Sequence, residues 1–157
     1  MKHLYVTALI ALFFTSPLAP TAGFAQDTPP EPEIAAEELP PLIQQAGDTE
    51  LSEFKWTARV LVVFADSPLD PSYSDQIALL ENRPDALLER DVVVLTDTDP
   101  DARSPIRTAL RPRGFALVVV DKDGRVMLRK PAPWDVREIT RAIDKTPLRQ
   151  QELESGR

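Results

Sequence analysis

Three clusters in this 157-residue chain combine residue types and spacings that could do chemistry. The first is Asp66-Ser67-Pro68-Leu69-Asp70-Pro71-Ser72, between an apolar run at 60–64 and a helical pattern at 72–82. A turn from a buried strand into a helix can host a reaction, because the helix start presents free N–H groups and the positive end of its dipole. Asp66 and Asp70 are the acid–base candidates there, while Ser72, with Asp75 at the third helical position, is expected to cap the helix.

The second cluster is Asp97, Asp99 and Asp101, carboxylates at alternate positions such as converge on a calcium ion. The calcium-loop pattern fails twice, since Ala102 stands at the sixth position in place of Gly and Thr108 at the twelfth in place of Glu. Solvated turn aspartates are the expectation, and no metal is assigned. The third cluster is Arg103, Arg107, Arg111 and Arg113, with no acid between Ala102 and Val120. A spacing of four puts Arg107 and Arg111 on one helical face, and their guanidinium forks suit a carboxylate or a phosphate. The competing reading is a solvated face paired with Asp97, Asp99 and Asp101.

The inventory of side chains excludes more than it includes. There is no cysteine, and the single histidine is His3, near the start. Thiol–disulfide exchange, peroxiredoxin chemistry, Ser-His-Asp triads and His or Cys metal sites therefore have no residues to use beyond the leader. Ser67 has neither a histidine nor a nearby lysine to activate it. No cofactor motif is present, and the two tryptophans, Trp56 and Trp134, are expected to pack in the core or at its rim.

Residues 1–25 show Lys2, an apolar stretch at 4–14 and small residues at Gly23 and Ala25, the layout of a signal peptide cleaved near Ala25. The stretch is too short to span a bilayer, so export to the periplasm or beyond is the expectation, without a membrane span. Residues 26–50 are expected to form a disordered acidic spacer carrying Pro29, Pro30, Pro32, Pro40 and Pro41. From 26 to 54 there are eight acids and no base, whereas residues 55–157 balance at 17 against 17. A neutral, exported domain at 51–154 does not suit nucleic acid.

Within that domain, strands are expected at 60–64, 92–95, 116–120 and 125–129, with helices from 72, around the Ser104-Pro105 start signal, and from Asp135. Asp121-Lys122-Asp123-Gly124 is a tight turn between the last two strands. The order β-α-β-α-β-β-α specifies an α/β fold with a mixed four-stranded sheet covered by helices.

That order resembles the core of the thioredoxin fold, and Arg113-Gly114-Phe115-Ala116-Leu117-Val118 resembles the run entering the third core strand of bacterial thioredoxins. Ala116 stands where their cis-proline would be. The resemblance implies that 66–72 is the active-site turn without its thiols. More closely, Trp56 with 59–65, Leu88-Glu89-Arg90-Asp91, residues 117–129 and the tail 144–152 resemble the exported thioredoxin-like family known as domain of unknown function 4174. It departs at Asp121, where members often have Gly.

This resemblance carries a fold but no activity. The expected function is a redox-inactive binding or accessory module whose partner is a protein or a small anionic ligand. The alternative is a cysteine-independent enzyme or oxidative-stress protein using the carboxylates of the Asp66 to Asp70 turn.

Overall fold

The computed structural model describes residues 41–156. The expected signal peptide, and the expected spacer as far as residue 40, lie outside the described residues. In chain order the elements are β1 (Ile43–Gln45), a 3-10 turn (Leu51–Phe54), β2 (Arg59–Phe64), α1 (Pro71–Glu81), α2 (Pro84–Leu88), β3 (Val92–Asp97), α3 (Pro105–Leu110), β4 (Ala116–Val120), β5 (Val126–Lys130), α4 (Val136–Asp144) and α5 (Pro147–Glu154).

The strands form one sheet in the order β1-β3-β2-β4-β5. β1, β3 and β2 run parallel, β4 is antiparallel to β2, and β5 is antiparallel to β4. This is the expected mixed α/β class with five strands instead of four. The extra strand corrects the expectation that the spacer extends to residue 50. Ala46 donates its N–H to Thr96 O at 2.9 Å and is itself buried, and Val94 donates to Leu42 O at 3.1 Å. A three-residue edge strand is held by backbone bonds, which leave little trace in a segment whose composition is dominated by proline and acid.

β2 occupies the centre, and all six of its residues are buried. On one face Leu61 and Val63 pack with Leu80 of α1, Leu87 of α2 and Ile139 and Ile143 of α4. On the other, Val60, Val62 and Phe64 pack with Ile106 and Leu110 of α3 and Val118 of β4. Each such side chain contributes roughly 1.5–3 kcal/mol by leaving water, so the centre of the sheet is the fixed frame from which the loops at its two ends project.

The helix after β2 starts two residues earlier than expected. Pro71 takes the first helical position, where its missing N–H and fixed φ are harmless, so the cap is Asp70, whose carboxylate accepts from Ser72 N at 2.8 Å and Tyr73 N at 3.4 Å. Ser72 is not the cap. Gln76, fully buried on this helix, clamps the backbone of Trp134, donating to its carbonyl at 3.1 Å and accepting from its N–H at 2.7 Å. Trp134 packs against the core as expected; Trp56 does not, being 65% exposed at a φ of 68°. At the other end Asp135 caps α4, and Thr146 with Pro147 opens a second helix, α5, where one closing helix was expected.

Candidate functional site

The turn leaving β2 places its polar side chains against its own backbone. Asp70 is committed to the start of α1. Ser67 Oγ accepts from Leu69 N at 3.1 Å, which fixes the turn and leaves no base beside the hydroxyl. Asp66, 62% exposed, lies 3.6 Å from Arg107 Nη1, and its Oδ2 is 3.8 Å from where a Cβ on Gly114 would sit. Asp66 and Asp70 thus have separate partners, and the turn holds no activated nucleophile.

Arg107 is turned into the fold. Its Nε and Nη2 donate to Asp97 Oδ1 at 3.0 and 2.8 Å, and Nη2 also donates to the carbonyls of Ala65 at 2.7 Å and Asp97 at 2.9 Å. Asp97 Oδ2 accepts from the hydroxyl of Ser104, the cap of α3, at 2.5 Å. Burial opposes ionisation of Asp97, yet the hydrogen bonds from Arg107 and Ser104 prevail and hold its carboxyl below the usual range. This assembly ties the ends of β2 and β3 to α3. A guanidinium with its fork so occupied is not available to an incoming anion.

Asp99 Oδ1 accepts from the N–H groups of Asp101 and Ala102, so its loop is a self-satisfied turn. Among the described residues no three His, Cys, Asp or Glu side chains stand close enough together to hold a metal ion.

The remaining arginines are divided by α3. Arg103, exposed at a φ of 50°, precedes the helix and borders the crevice at the ends of β1 and β3. Arg111 caps its far end and Arg113 follows. The four arginines therefore do not form one surface: Arg103 is at one end of α3, Arg107 points inward, and Arg111 and Arg113 share the other end.

There, beside β4 and β5, lies a cleft of about 590 Å3. Arg111 and Arg113 line it from the α3–β4 connection, and Arg129 and Lys130 from the end of β5. Leu110, Phe115, Ala116 and Pro131 supply its apolar wall. One Nη2 hydrogen of Arg129 goes to Leu110 O at 2.8 Å, satisfying a carbonyl that the helix end leaves open. Lys130 Nζ lies 4.3 Å from the ring centroid of Trp134. Among the described residues no carboxylate lines the cleft and none of these four cations makes an ion pair. Arg129 and Lys130 were outside the expected set, because only the fold brings the end of β5 beside residues 111–116. Ala116, at the position of a thioredoxin cis-proline, is part of the same wall.

A second charged cluster occupies the opposite end of the sheet. Arg59, fully buried at the start of β2, donates from Nη1 to Glu152 at 3.1 Å and to Arg90 O at 2.9 Å. Its Nε is 2.9 Å from Asp121 Oδ1, close enough for ion pairing though not aligned for a hydrogen bond. Arg149 and Lys122 also reach Glu152, at 3.1 and 2.9 Å. Burial raises the cost of charging Glu152, but bonds from Lys122, Arg59 and Arg149 overcome it and pull its carboxyl down to about 2. Arg90 grips Asp144 through two parallel bonds of 2.8 and 2.9 Å. These residues come from the runs that carry the family resemblance, and they fasten α4 and α5 to the sheet. The sequence signal was Arg59 opening an otherwise apolar strand, a charge that needs buried partners.

The family described as Domain of unknown function (DUF4174) matches residues 50–152, and the chain belongs to it. Among solved structures, the chain is similar to the reduced 2-Cys peroxiredoxin of Plasmodium vivax at 21% identity, covering 66% of this chain and 84% of that one, with a TM-score of 0.50. It is also similar to thioredoxin peroxidase I of Plasmodium yoelii at 20% identity, covering 68% and 81%, with a TM-score of 0.45. The first of these likenesses shows the thioredoxin-like fold. No helix of the described residues is long and apolar enough to cross a membrane.

Proposed function

We propose that this member of the family is an exported, redox-inactive binding or accessory module whose working surface is the cleft at Arg111 and Arg113. The observation that carries the reading is a contrast between neighbouring sites. At the active-site turn of the thioredoxin-like fold there is no thiol, and Ser67, Asp70 and Asp97 are engaged in holding the fold. A short distance along the chain, two arginines stand in an open cleft that no carboxylate of the described residues lines. The catalytic position is filled by structure, while the adjacent one is left chemically open. Export is supported by Lys2, the apolar stretch at 4–14 and the small residues before Gln26.

The enzyme alternative has one carboxylate that is both exposed and near the turn, Asp66, and that group leans toward Arg107. A screen of the purified protein on peroxides, disulfides and esters tests it. No turnover above buffer is expected; turnover abolished by Asp66→Asn or Asp70→Asn would replace the binding reading with an enzymatic one.

A further inference from the structure

We propose that the cleft between the end of α3 and the β4–β5 ribbon binds a small organic dianion, a phosphomonoester or a dicarboxylate on an apolar body. This rests on the reading of that surface as the working one and goes further by assigning the ligand's chemistry.

The charge comes first. Arg111, Arg113, Arg129 and Lys130 line one cleft, and among the described residues no carboxylate joins them. The inward-held arginines of this protein behave otherwise: Arg59, Arg90, Arg107 and Arg149 each have a carboxylate within 3.1 Å. Lys130, in register with Leu117, turns its ammonium onto Trp134 on the other face of the sheet, whereas Arg129, in register with Val118, stays on the α3 side with Arg111 and Arg113. Three like charges on one concave surface repel each other and focus a positive potential into it, and an anion relieves both effects. Two free guanidinium forks also offer paired, parallel donors, the geometry that a phosphate or carboxylate accepts best.

Arg111 caps α3 in the left-handed region, at a φ of 49°. Glycine is the ordinary residue there, and a side chain in that conformation is strained by on the order of 1 kcal/mol. Its N–H bond to Arg107 O would serve a glycine equally well. The cap therefore does not require an arginine here, although Trp56, Asp91 and Arg103 adopt the same backbone conformation away from the cleft.

Size and wall composition select the body of the ligand. About 590 Å3 is within the range of small-molecule sites. A bare inorganic anion would satisfy the forks and leave Phe115, Leu110 and Pro131 in water; an apolar or aromatic body would cover them. Of the two cations at the end of β5, only Arg129 turns its head group to the α3 side, at Leu110 O, while that of Lys130 lies over Trp134 on the other face. That favours a compact anion over an extended acidic strand added to the sheet edge.

The test is calorimetric titration of the whole exported protein with phenyl phosphate, phthalate, inorganic phosphate and a tetraglutamate peptide. Phenyl phosphate or phthalate is expected to bind at least about tenfold more tightly than inorganic phosphate, the difference between those two probes identifying the headgroup. Arg111→Gly and Arg113→Ala are each expected to weaken that binding about tenfold. Because Arg111→Gly relieves a strained backbone, its melting temperature should not fall, which separates lost binding from lost folding. Arg83→Ala, at an exposed arginine elsewhere on the chain, should change nothing. Inorganic phosphate binding as tightly as phenyl phosphate overturns the organic body. Binding of the tetraglutamate peptide alone overturns the small-ligand class. Absence of binding by every probe, or binding indifferent to both variants, overturns the site, and capture of a partner through Arg111 and Arg113 would then still uphold the broader reading.

Discussion

Glu152→Gln removes the charge on which three cations converge and leaves the shape of the side chain nearly intact. The carboxyl is 12% exposed and within 3.1 Å of nitrogens from Arg59, Lys122 and Arg149. Its fall from the ordinary 4.5 to about 2 corresponds to about 3 kcal/mol of stabilisation in the folded state. With slight screening by solvent, a loss of roughly 2–3 kcal/mol at neutral pH is expected for the variant. The sign follows from the direction: a carboxylate held below its unfolded value stabilises the fold above about pH 4.5, and that stability is lost as the pH falls toward 2. Urea unfolding of the parent and variant, followed by tryptophan fluorescence between neutral pH and pH 2, measures both quantities. The two should differ most at neutral pH and converge in acid. A variant within roughly 0.5 kcal/mol of the parent at neutral pH, or one with a parallel pH profile, would refute the assignment of Glu152 as the hub.

Other substitutions separate the elements of the account. Asp70→Ala should lower stability by about 1 kcal/mol in the same unfolding assay, whereas Ser72→Ala should change it little. Asp97→Asn leaves Arg107 inward-facing without its carboxylate and should cost about 2–4 kcal/mol at neutral pH, with the deficit shrinking in acid because Asp97 is held below its usual range. Ala46→Pro deletes the N–H bonded to Thr96 O and should cost on the order of 1–3 kcal/mol by thermal melting; an unchanged melt would mean that β1 contributes nothing to the sheet.

The four central strands, their order and the tight turn at 121–124 are legible in the sequence because periodicity and turn chemistry are local. β1 is not, since its evidence is a backbone ladder to β3. The start of α1 lies two residues before the expected cap because Ser72 and Asp70 are both good caps, and only Pro71 at the first helical position decides between them. Trp56 is exposed against expectation because hydrophobic type says nothing about a left-handed φ. The arginine cluster was visible as composition, but its partition was not: spacing of four holds only while the helix continues, and α3 ends at Leu110. Arg129 and Lys130 come beside Arg111 and Arg113 through the β4–β5 pairing, and the Arg129 bond to Leu110 O spans 19 positions. The buried pole around Arg59 depends on still longer separations, reaching Glu152 93 positions away.

The central claim is that this thioredoxin-like domain works by binding at the Arg111 and Arg113 cleft and not by reaction at the turn. The most direct measurement is parallel capture from an exported-protein extract with the parent, the Arg111→Gly/Arg113→Ala double variant and Asp66→Asn as baits, quantified by retained mass. The account expects the parent and Asp66→Asn to retain the same species and the double variant to lose it. Retention by the double variant equal to that of the parent, with loss in Asp66→Asn, would contradict it.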